Sequence, residues 1–169
     1  YDSGISLLHP HAGNWFMSGR TPGRSGNAHP NIYPYDSFAT GTTPVFLAVG
    51  NDRQFRLLCE HLGCPQLVAD ERFATAGQRS HHRDALKPLL EQALQSCDGP
   101  ALADALMAIG VPAAPVLGVD AALNHPHTLH REMVVEMEGG YRGLGAPVKL
   151  SRTPASYRHA PLAEGDSFE

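Results

Sequence analysis

The sequence lacks the features that mark membrane, secreted and nucleic-acid-binding proteins. No apolar run approaches the roughly 20 residues that a helix needs to cross a bilayer, and no basic segment followed by an apolar run indicates a signal peptide near Tyr1. The formal charge is −4, and the 13 basic residues are spread along the chain without a basic patch. We therefore expect no nucleic acid and no membrane among its partners.

Several enzyme motifs are also missing. The chain has no G-x-S-x-G nucleophile turn, no G-x-x-x-x-G-K-[ST] phosphate loop and no G-x-G-x-x-G dinucleotide motif. Its three cysteines, Cys59, Cys64 and Cys97, show no C-x-x-C spacing. An odd, unpatterned set of this kind is typical of reduced thiols, which indicates a cytoplasmic protein.

What is present indicates a globular protein of one domain with appended segments. The 169 residues are 42% hydrophobic and 18% charged, a balance typical of chains that bury a core. Residues 5–17 favour a helix that Pro10 kinks or delays. No start signal precedes this helix and the chain does not begin with Met, so we expect it to be a portion of a longer protein.

The next part of the chain predicts a loop, a hairpin and a helix. Residues 18–34 are rich in glycine and proline and predict a long loop, of a length that is often functional in compact domains. Residues 35–39 and 45–49 are short β-prone runs that predict a hairpin. Residues 52–62 carry apolar side chains at helical spacing, after Asn51 as the capping residue.

Two further helices are predicted in the middle of the chain. The first covers residues 76–95, where Pro88 is expected to bend the helix or to reset its start. The second covers residues 99–109 and is capped by Asp98. The inward-facing side chains of the first helix are expected to be Leu86, Leu89, Leu90 and Leu94.

The end of the chain returns to extended structure. Residues 113–117 are predicted to be extended. Residues 133–137 and 141–142 flank a Gly-Gly turn and predict two paired strands, and residues 147–151 predict a third. Because helices follow a hairpin and strands follow the helices, the predicted fold class is α+β, with small antiparallel sheets and packed helices.

Two groups of residues are candidates for function. In the loop, residues 23–31 are mostly small, so the backbone can approach a ligand closely and offer N–H donors to an anion or a thioester oxygen. The alternative for the loop is a purely structural omega loop. The histidine groups His125-x-His127-x-x-His130 and His81-His82 are close in sequence. We expect no metal site there, because a solvated histidine is the ordinary state in a polar turn.

Eight segments carry a resemblance that extends over nearly the whole chain. They are GNAHPNIYPY at 26–35, FAT at 38–40, LAVGNDRQF at 47–55, LCEHLG at 58–63, DERFAT at 70–75 with Arg79 and Arg83, GVPAAPV at 110–116, GAPVKLS at 145–151, and Ala160-Pro161-Leu162 with Gly165. In order and spacing they resemble the small domain of family III CoA-transferases, the group of formyl-CoA transferase and carnitine-CoA transferase.

This resemblance implies an activity and a site. Family members exchange CoA between carboxylic acids through an aspartate nucleophile. The aspartate belongs to a large Rossmann-like domain, so it is expected upstream of residue 1, and no catalytic residue is assigned here. A glycine-containing loop closes over the active site. It corresponds to Ser25, Gly26, Asn27, Ala28 and His29, the expected substrate-binding residues.

The resemblance also implies substrates, partners and boundaries. The substrates would be an acyl-CoA thioester and a carboxylic acid, with no tightly bound cofactor, and the full-length enzyme would be a homodimer. Without the large domain, the chain is expected to be inactive. Residues 1–18 would connect to the missing domain, residues 19–117 would form the small domain, and residues 118–169 a strand-rich return segment.

Two departures leave alternatives open. Asn27 and Ala28 stand where formyl-CoA transferase has glycines, and His29 stands where it has glutamine, so the substrate is not identified. The α-methylacyl-CoA racemases share the fold but use acid–base chemistry, and the residues that distinguish them lie upstream. The third alternative is a non-catalytic binding module built from the same domain.

Overall fold

The structure, a computed structural model, describes residues 1–161. The chain divides into two compact units, Tyr1–Val116 and the residues from Leu117 onward. Both units combine helices with small antiparallel sheets, which confirms the predicted α+β fold class. Two positions of the family resemblance, Leu162 and Gly165, lie outside the described residues.

Two short helices, α1 (Asp2–Ser6) and α2 (His11–Ser18), begin the first unit. The break between them includes His9-Pro10, where the sequence predicts a kink, because proline has no N–H to donate to a preceding turn. Large apolar side chains of α2 are exposed: Phe16 is 77% exposed and Met17 is 90% exposed. This helix pair therefore presents an apolar surface.

A three-stranded antiparallel sheet is the centre of the first unit. Its strands β1 (Tyr35–Phe38), β2 (Val45–Ala48) and β3 (Ala113–Pro115) lie in the order β1-β2-β3. Phe38 pairs with Val45 in the hairpin, and both side chains are buried because directly paired residues of neighbouring strands face the same side of the sheet. The predicted hairpin is confirmed. The run over residues 113–117 that was predicted to be extended supplies the third strand, β3.

Helix α3 (Asp52–His61) follows the hairpin as predicted. The Asn51 side chain accepts a hydrogen bond from the Gln54 amide at 2.9 Å and so caps the first turn. Phe55 and Leu58 are buried, in agreement with the predicted apolar face. After α3 comes one short helix, α4 (Gln66–Ala69).

The predicted long helix over residues 76–95 is two helices, α5 (Ala76–His81) and α6 (Arg83–Leu94). The break is at His82, so the prediction that Pro88 bends the helix or resets its start is wrong. Pro88 lies inside α6 on its exposed side, where water can replace the single hydrogen bond that proline removes. Leu89, next to it, is 37% exposed, and its predicted inward position is also wrong.

Helix α7 (Gly99–Ala108) confirms the last helix predicted for this unit. Asp98 caps it, since its carboxylate accepts a hydrogen bond from the Ala101 amide at 3.0 Å. Gly99 is buried, and a Cβ at this position would collide with the carbonyl of Thr43. A glycine here allows α7 to lie directly against the loop of the hairpin.

The core of the first unit lies between the sheet and helices α3, α6 and α7. Its members are apolar side chains with at most 6% exposure, and they come from every one of these elements. They are Tyr33, Phe38, Val45, Leu47, Val49, Phe55, Leu58, Cys59, Cys64, Leu67, Phe73, Leu86, Leu90, Leu94, Leu102, Ala103, Leu106 and Val111.

The second unit begins with two short helices, α8 (Val119–Leu123) and α9 (Pro126–His130). Two antiparallel strands follow, β4 (Val134–Glu136) and β5 (Arg142–Leu144), and they confirm the strand pair predicted around the Gly-Gly turn. The third strand predicted over residues 147–151 is wrong. These residues form no strand, and Pro147 has no amide hydrogen to pair with a neighbour.

Candidate functional site

The predicted site residues lie in the long segment between α2 and β1. The Ala28 amide donates to the Ser25 carbonyl at 3.2 Å and closes a turn through Gly26 and Asn27. Gly26 has a φ of +62°, in the left-handed region that side chains with a Cβ rarely adopt. No atom lies within 4 Å of where a Cβ would be, so the backbone conformation, and not the space, favours glycine here.

Ser25, Gly26 and Asn27 are exposed, whereas Ala28 and His29 are partly buried. The turn therefore presents small residues and backbone N–H groups to solvent, and its anchored end starts at His29. The next residue, Pro30, is also anchored, because its carbonyl accepts a hydrogen bond from Arg83.

His29 is held by contacts at its backbone and its ring. Its amide donates to the Tyr35 carbonyl at 2.9 Å. Its Nδ1 accepts hydrogen bonds from the amides of Asn31 at 3.1 Å and Ile32 at 3.2 Å. The ring stacks on that of Tyr35, with centroids 5.0 Å apart and an angle of 21° between the planes. Rotation of this ring would break both accepted hydrogen bonds.

These contacts determine the protonation state of His29. A nitrogen that accepts two N–H groups carries no proton, so the neutral ring has its proton on Nε2. Burial holds the pKa of His29 below its usual value, and the neighbouring groups Arg83, His11 and His9 lower it further. His29 is therefore an uncharged Nε2–H donor at neutral pH. Within residues 1–161, Nε2 has no hydrogen-bond partner.

Arg83, in the first turn of α6, binds the backbone of the loop. Its Nη1 donates to the His29 carbonyl at 3.3 Å and its Nη2 to the Pro30 carbonyl at 3.1 Å. The same guanidinium donates to the carbonyl and the hydroxyl of Ser80. It also lies 5.5 Å from the centroid of the Tyr33 ring. The sequence identifies Arg83 only as part of the resemblance, without a role.

A pair of amide side chains connects α2 to the loop. Asn14 Nδ2 donates to Asn31 Oδ1 at 3.0 Å, and Asn31 Nδ2 donates to Asn14 Oδ1 at 2.9 Å. Sequence reasoning missed this pair because two asparagines 17 positions apart produce no periodic pattern. The reciprocal bonds fix the end of the loop from a second side.

Arg79 of α5 fixes the segment that joins the loop to β1. It is fully buried, and its guanidinium donates to the carbonyls of Tyr33 at 3.2 Å and Phe73 at 3.0 Å. Its Nη2 lies 2.7 Å from Asp52 Oδ1. The sequence gives no signal that this arginine is inside, because a buried arginine is rare unless it is paired.

The loop therefore has an anchored part, from His29 onward, and an exposed turn at residues 25–27. Arg83, which binds the His29 carbonyl, places a positive charge beside the anchored part of the loop. An anionic or partly negative oxygen is the ligand that such donors and cations favour.

The other candidate, the histidine groups, shows no metal-site geometry. His125 Nδ1 accepts a hydrogen bond from the His127 amide at 3.2 Å and caps α9. In the part of the chain that the structure describes, no three His, Cys, Asp or Glu side chains form a group that could hold a metal ion.

Membrane spans are absent among the helices of residues 1–161: none of them has the length and apolar composition of one.

A cavity with a volume of about 1020 Å³ lies in the second unit. Lys149, Tyr157 and Arg158 are among the residues that line it. None of the residues that line it belongs to the loop of the first unit.

Comparison with known proteins identifies relatives for almost the whole chain. A family model described as CoA-transferase family III matches residues 1–167. The acetyl-CoA:oxalate CoA-transferase of Acetobacter aceti is 36% identical over 151 residues, which are 89% of this chain and 39% of that protein. The succinate–glutarate CoA-transferase of Agrobacterium fabrum is 35% identical over 148 residues, 85% of this chain and 37% of that protein.

A solved structure also matches most of this chain. The CAIB/BAIF family protein from Brucella suis matches with a TM-score of 0.78 and 38% identity, over 88% of this chain and 39% of that one. The chain thus spans about two fifths of the length of the relatives it matches.

Proposed function

The chain belongs to CoA-transferase family III, and from this we propose that it is the C-terminal part of an enzyme that transfers CoA between an acyl-CoA and a carboxylic acid. The relatives named above are described as CoA-transferases. Their descriptions support a transferase over the racemase alternative, because none of them refers to epimerisation. The match over nearly the whole chain, at 35–36% identity, also supports an enzyme over a binding module.

In this proposal the nucleophile is an aspartate upstream of residue 1, which forms the covalent acyl and CoA intermediates. The isolated chain is then inactive, because it supplies neither the nucleophile nor the CoA-binding domain. The full-length enzyme is a cytoplasmic homodimer whose CoA thioester is a substrate, with no tightly bound cofactor.

Residues 25–29 lie on the acyl side of the active site, not near the adenine of CoA. The observation that carries this assignment is the exposed turn at Gly26 next to the fixed, neutral His29, whose Nε2–H is without a partner in the described part of the chain. Small residues allow the turn to approach a thioester without a steric penalty. Donors at this place could stabilise a developing oxyanion, an effect worth about 2.7–4 kcal/mol per donor in other enzymes.

The relatives suggest which acids to test. Their descriptions include oxalate, succinate and glutarate, which are all short dicarboxylic acids. A dicarboxylate acceptor would place a second negative charge near the positive charge of Arg83, which binds the loop. We therefore propose a short dicarboxylic acid as the acceptor.

The experiment is a CoA-exchange assay on the full-length polypeptide, with acetyl-CoA or succinyl-CoA as donor. The acceptors are oxalate, glutarate and a monocarboxylate control, and the thioesters are separated by chromatography. We expect a new dicarboxyl-CoA product from the full-length protein and none from residues 1–169 alone. Epimerisation of a 2-methylacyl-CoA without CoA exchange, or no turnover by the full-length protein, would contradict the proposal.

A further inference from the structure

Arg83 provides a link between the fold and the loop that the proposed function does not use. Its guanidinium binds two successive carbonyls of the loop, at His29 and Pro30, and it is itself bound to Ser80 at the end of α5. A planar fork of N–H donors can bridge two adjacent acceptors, whereas a lysine ammonium acts as a point charge. This geometry fixes the His29 backbone from one side.

The ring of His29 is fixed by separate contacts. Nδ1 accepts from the amides of Asn31 and Ile32, and the ring stacks on Tyr35. With the backbone held by Arg83 and the ring held by these contacts, one polar atom of the side chain, Nε2, is left to act on a ligand. Its N–H is a single donor with a fixed direction.

On this basis we propose that Arg83 is the positioning residue of the loop: it holds His29 so that Nε2–H donates to an oxygen of the substrate, either the carboxylate of the acceptor or the carbonyl of the thioester. This inference rests on the proposed function, since it requires the loop to lie at the acyl group. Arg83 does not touch substrate. It acts through His29, and a carboxylate or thioester oxygen is the chemical group that this donor recognises.

The charge of Arg83 has a second effect. The groups that face His29 are Arg83 from α6, His9 and His11 from the segment around the first two helices, and the Tyr35 ring from β1. Burial and the three basic groups all lower the pKa of His29, and so they favour the neutral donor. A donor without charge is less able to lose its proton to the substrate than an imidazolium would be.

The first part of the test uses this chain itself. Nitrogen NMR of the histidine rings reports the tautomer and the pKa of His29 in the wild type, in Arg83→Met and in Arg83→Lys. We expect the Nε2–H tautomer in the wild type. In Arg83→Met, we expect a raised pKa and a mixture of tautomers. In Arg83→Lys, the charge is kept and the fork is lost, so the pKa should stay low while the tautomers mix. An unchanged His29 in both variants would overturn the inference.

The second part uses the full-length enzyme and separates this inference from the proposed function. A misplacement of about 1 Å can cost on the order of 100-fold in rate, so Arg83→Met should lose tenfold or more in kcat/KM for the acceptor. The matched control is Arg53→Met, at an exposed position of α3, which should be unchanged.

If Gly26→Val lowers transfer and both Arg83 variants remain fully active, the inference about Arg83 fails while the proposed function stands. If all of these variants, including Gly26→Val, keep full activity, the loop is not at the acyl group. The inference about Arg83 and the placement of residues 25–29 then both fail, while CoA transfer by the enzyme stands. Circular dichroism verifies folding, and Arg83→Lys replaces Arg83→Met in the assay if the latter does not fold.

Discussion

Arg79 Nη2 lies 2.7 Å from Asp52 Oδ1, and this ion pair joins a fully buried guanidinium to a half-exposed carboxylate. The arginine approaches from α5 and the aspartate from the first turn of α3. The guanidinium carbon also lies 4.5 Å from the centroid of the Phe55 ring. Helices α3 and α5 of the first unit therefore meet at this one side chain.

This arrangement predicts unequal effects for the two partners. Arg79→Met leaves the buried carbonyls of Tyr33 and Phe73 without a donor, at about 1–3 kcal/mol each, so the free energy of unfolding should fall by about 2–6 kcal/mol. In Asp52→Asn, the amide oxygen can still accept from Arg79 and both carbonyls keep their donor, so the loss should be smaller than in Arg79→Met. Urea unfolding measures both variants. Equal losses would show that the ion pair, and not the two carbonyls, is the main contribution.

Two adjacent leucines of α6 should respond differently to truncation. Leu90 is fully buried, whereas Leu89 is 37% exposed. Leu90→Ala should lower the free energy of unfolding by about 2–5 kcal/mol, as for other core leucines. Leu89→Ala should cost less than half as much, since it leaves no closed cavity. Denaturant unfolding of the two variants decides this, and similar costs would mean that Leu89 is packed in solution.

These leucines also show how far the sequence predicts the fold. Caps and apolar spacing were sufficient for α3 and α7, because local interactions determine both signals. The spacing could not place Leu89, because four leucines in one predicted helix allow more than one inward face. The apolar spacing also could not place the break at His82. Pro88 is the stronger sequence signal for a break, but it lies on the exposed side of α6, where the helix continues without its hydrogen bond.

The pH dependence of stability should contain a contribution from His29. Because the pKa of His29 is lowered in the fold, its contribution is complete above the ordinary pKa of about 6.5 and is lost as the pH falls below that value. His29→Asn keeps an oxygen that can accept from the Asn31 amide, as in an Asx turn, and it cannot titrate. We expect the difference in stability between wild type and variant to shrink from pH 7.5 to pH 5.

Thermal unfolding over that pH range measures the effect. The other histidines are the same in both proteins and cancel in the difference. A His29→Asn difference that does not change with pH would contradict the lowered pKa.

The chain should self-associate through its first helices. Trp15 is 48% exposed, Phe16 77% and Met17 90%, and contiguous exposed apolar side chains favour association. Light scattering should report a dimer or a larger species, and the double variant Phe16→Ser, Met17→Ser should shift the mass toward the monomer. A clean monomer of the wild type at high concentration would contradict this prediction.

The candidate site was predictable in part. Gly26 and His29 could be found from the composition of the loop and from the family resemblance, which are both local signals. The contacts of Arg83 and the pair formed by Asn14 and Asn31 could not be predicted. They join polar groups that are distant in sequence, and such pairs produce no sequence pattern. Their geometry depends on how α2 and α6 pack around the loop.

The most direct test of the account is the ratio of CoA transfer to thioester hydrolysis in the full-length enzyme, measured for wild type, Gly26→Val and Gly26→Asn. Valine is strained at the φ of +62° found at Gly26, whereas asparagine tolerates it, so Gly26→Asn is the matched control. We predict that Gly26→Val lowers transfer on the order of tenfold or more, or diverts the intermediate to hydrolysis. Gly26→Asn avoids the backbone strain and adds only a side chain, so it should lose less transfer than Gly26→Val, and the thermal stability of both variants should be largely kept. Transfer and hydrolysis rates of Gly26→Val that equal those of the wild type would contradict the placement of residues 25–29 at the acyl group.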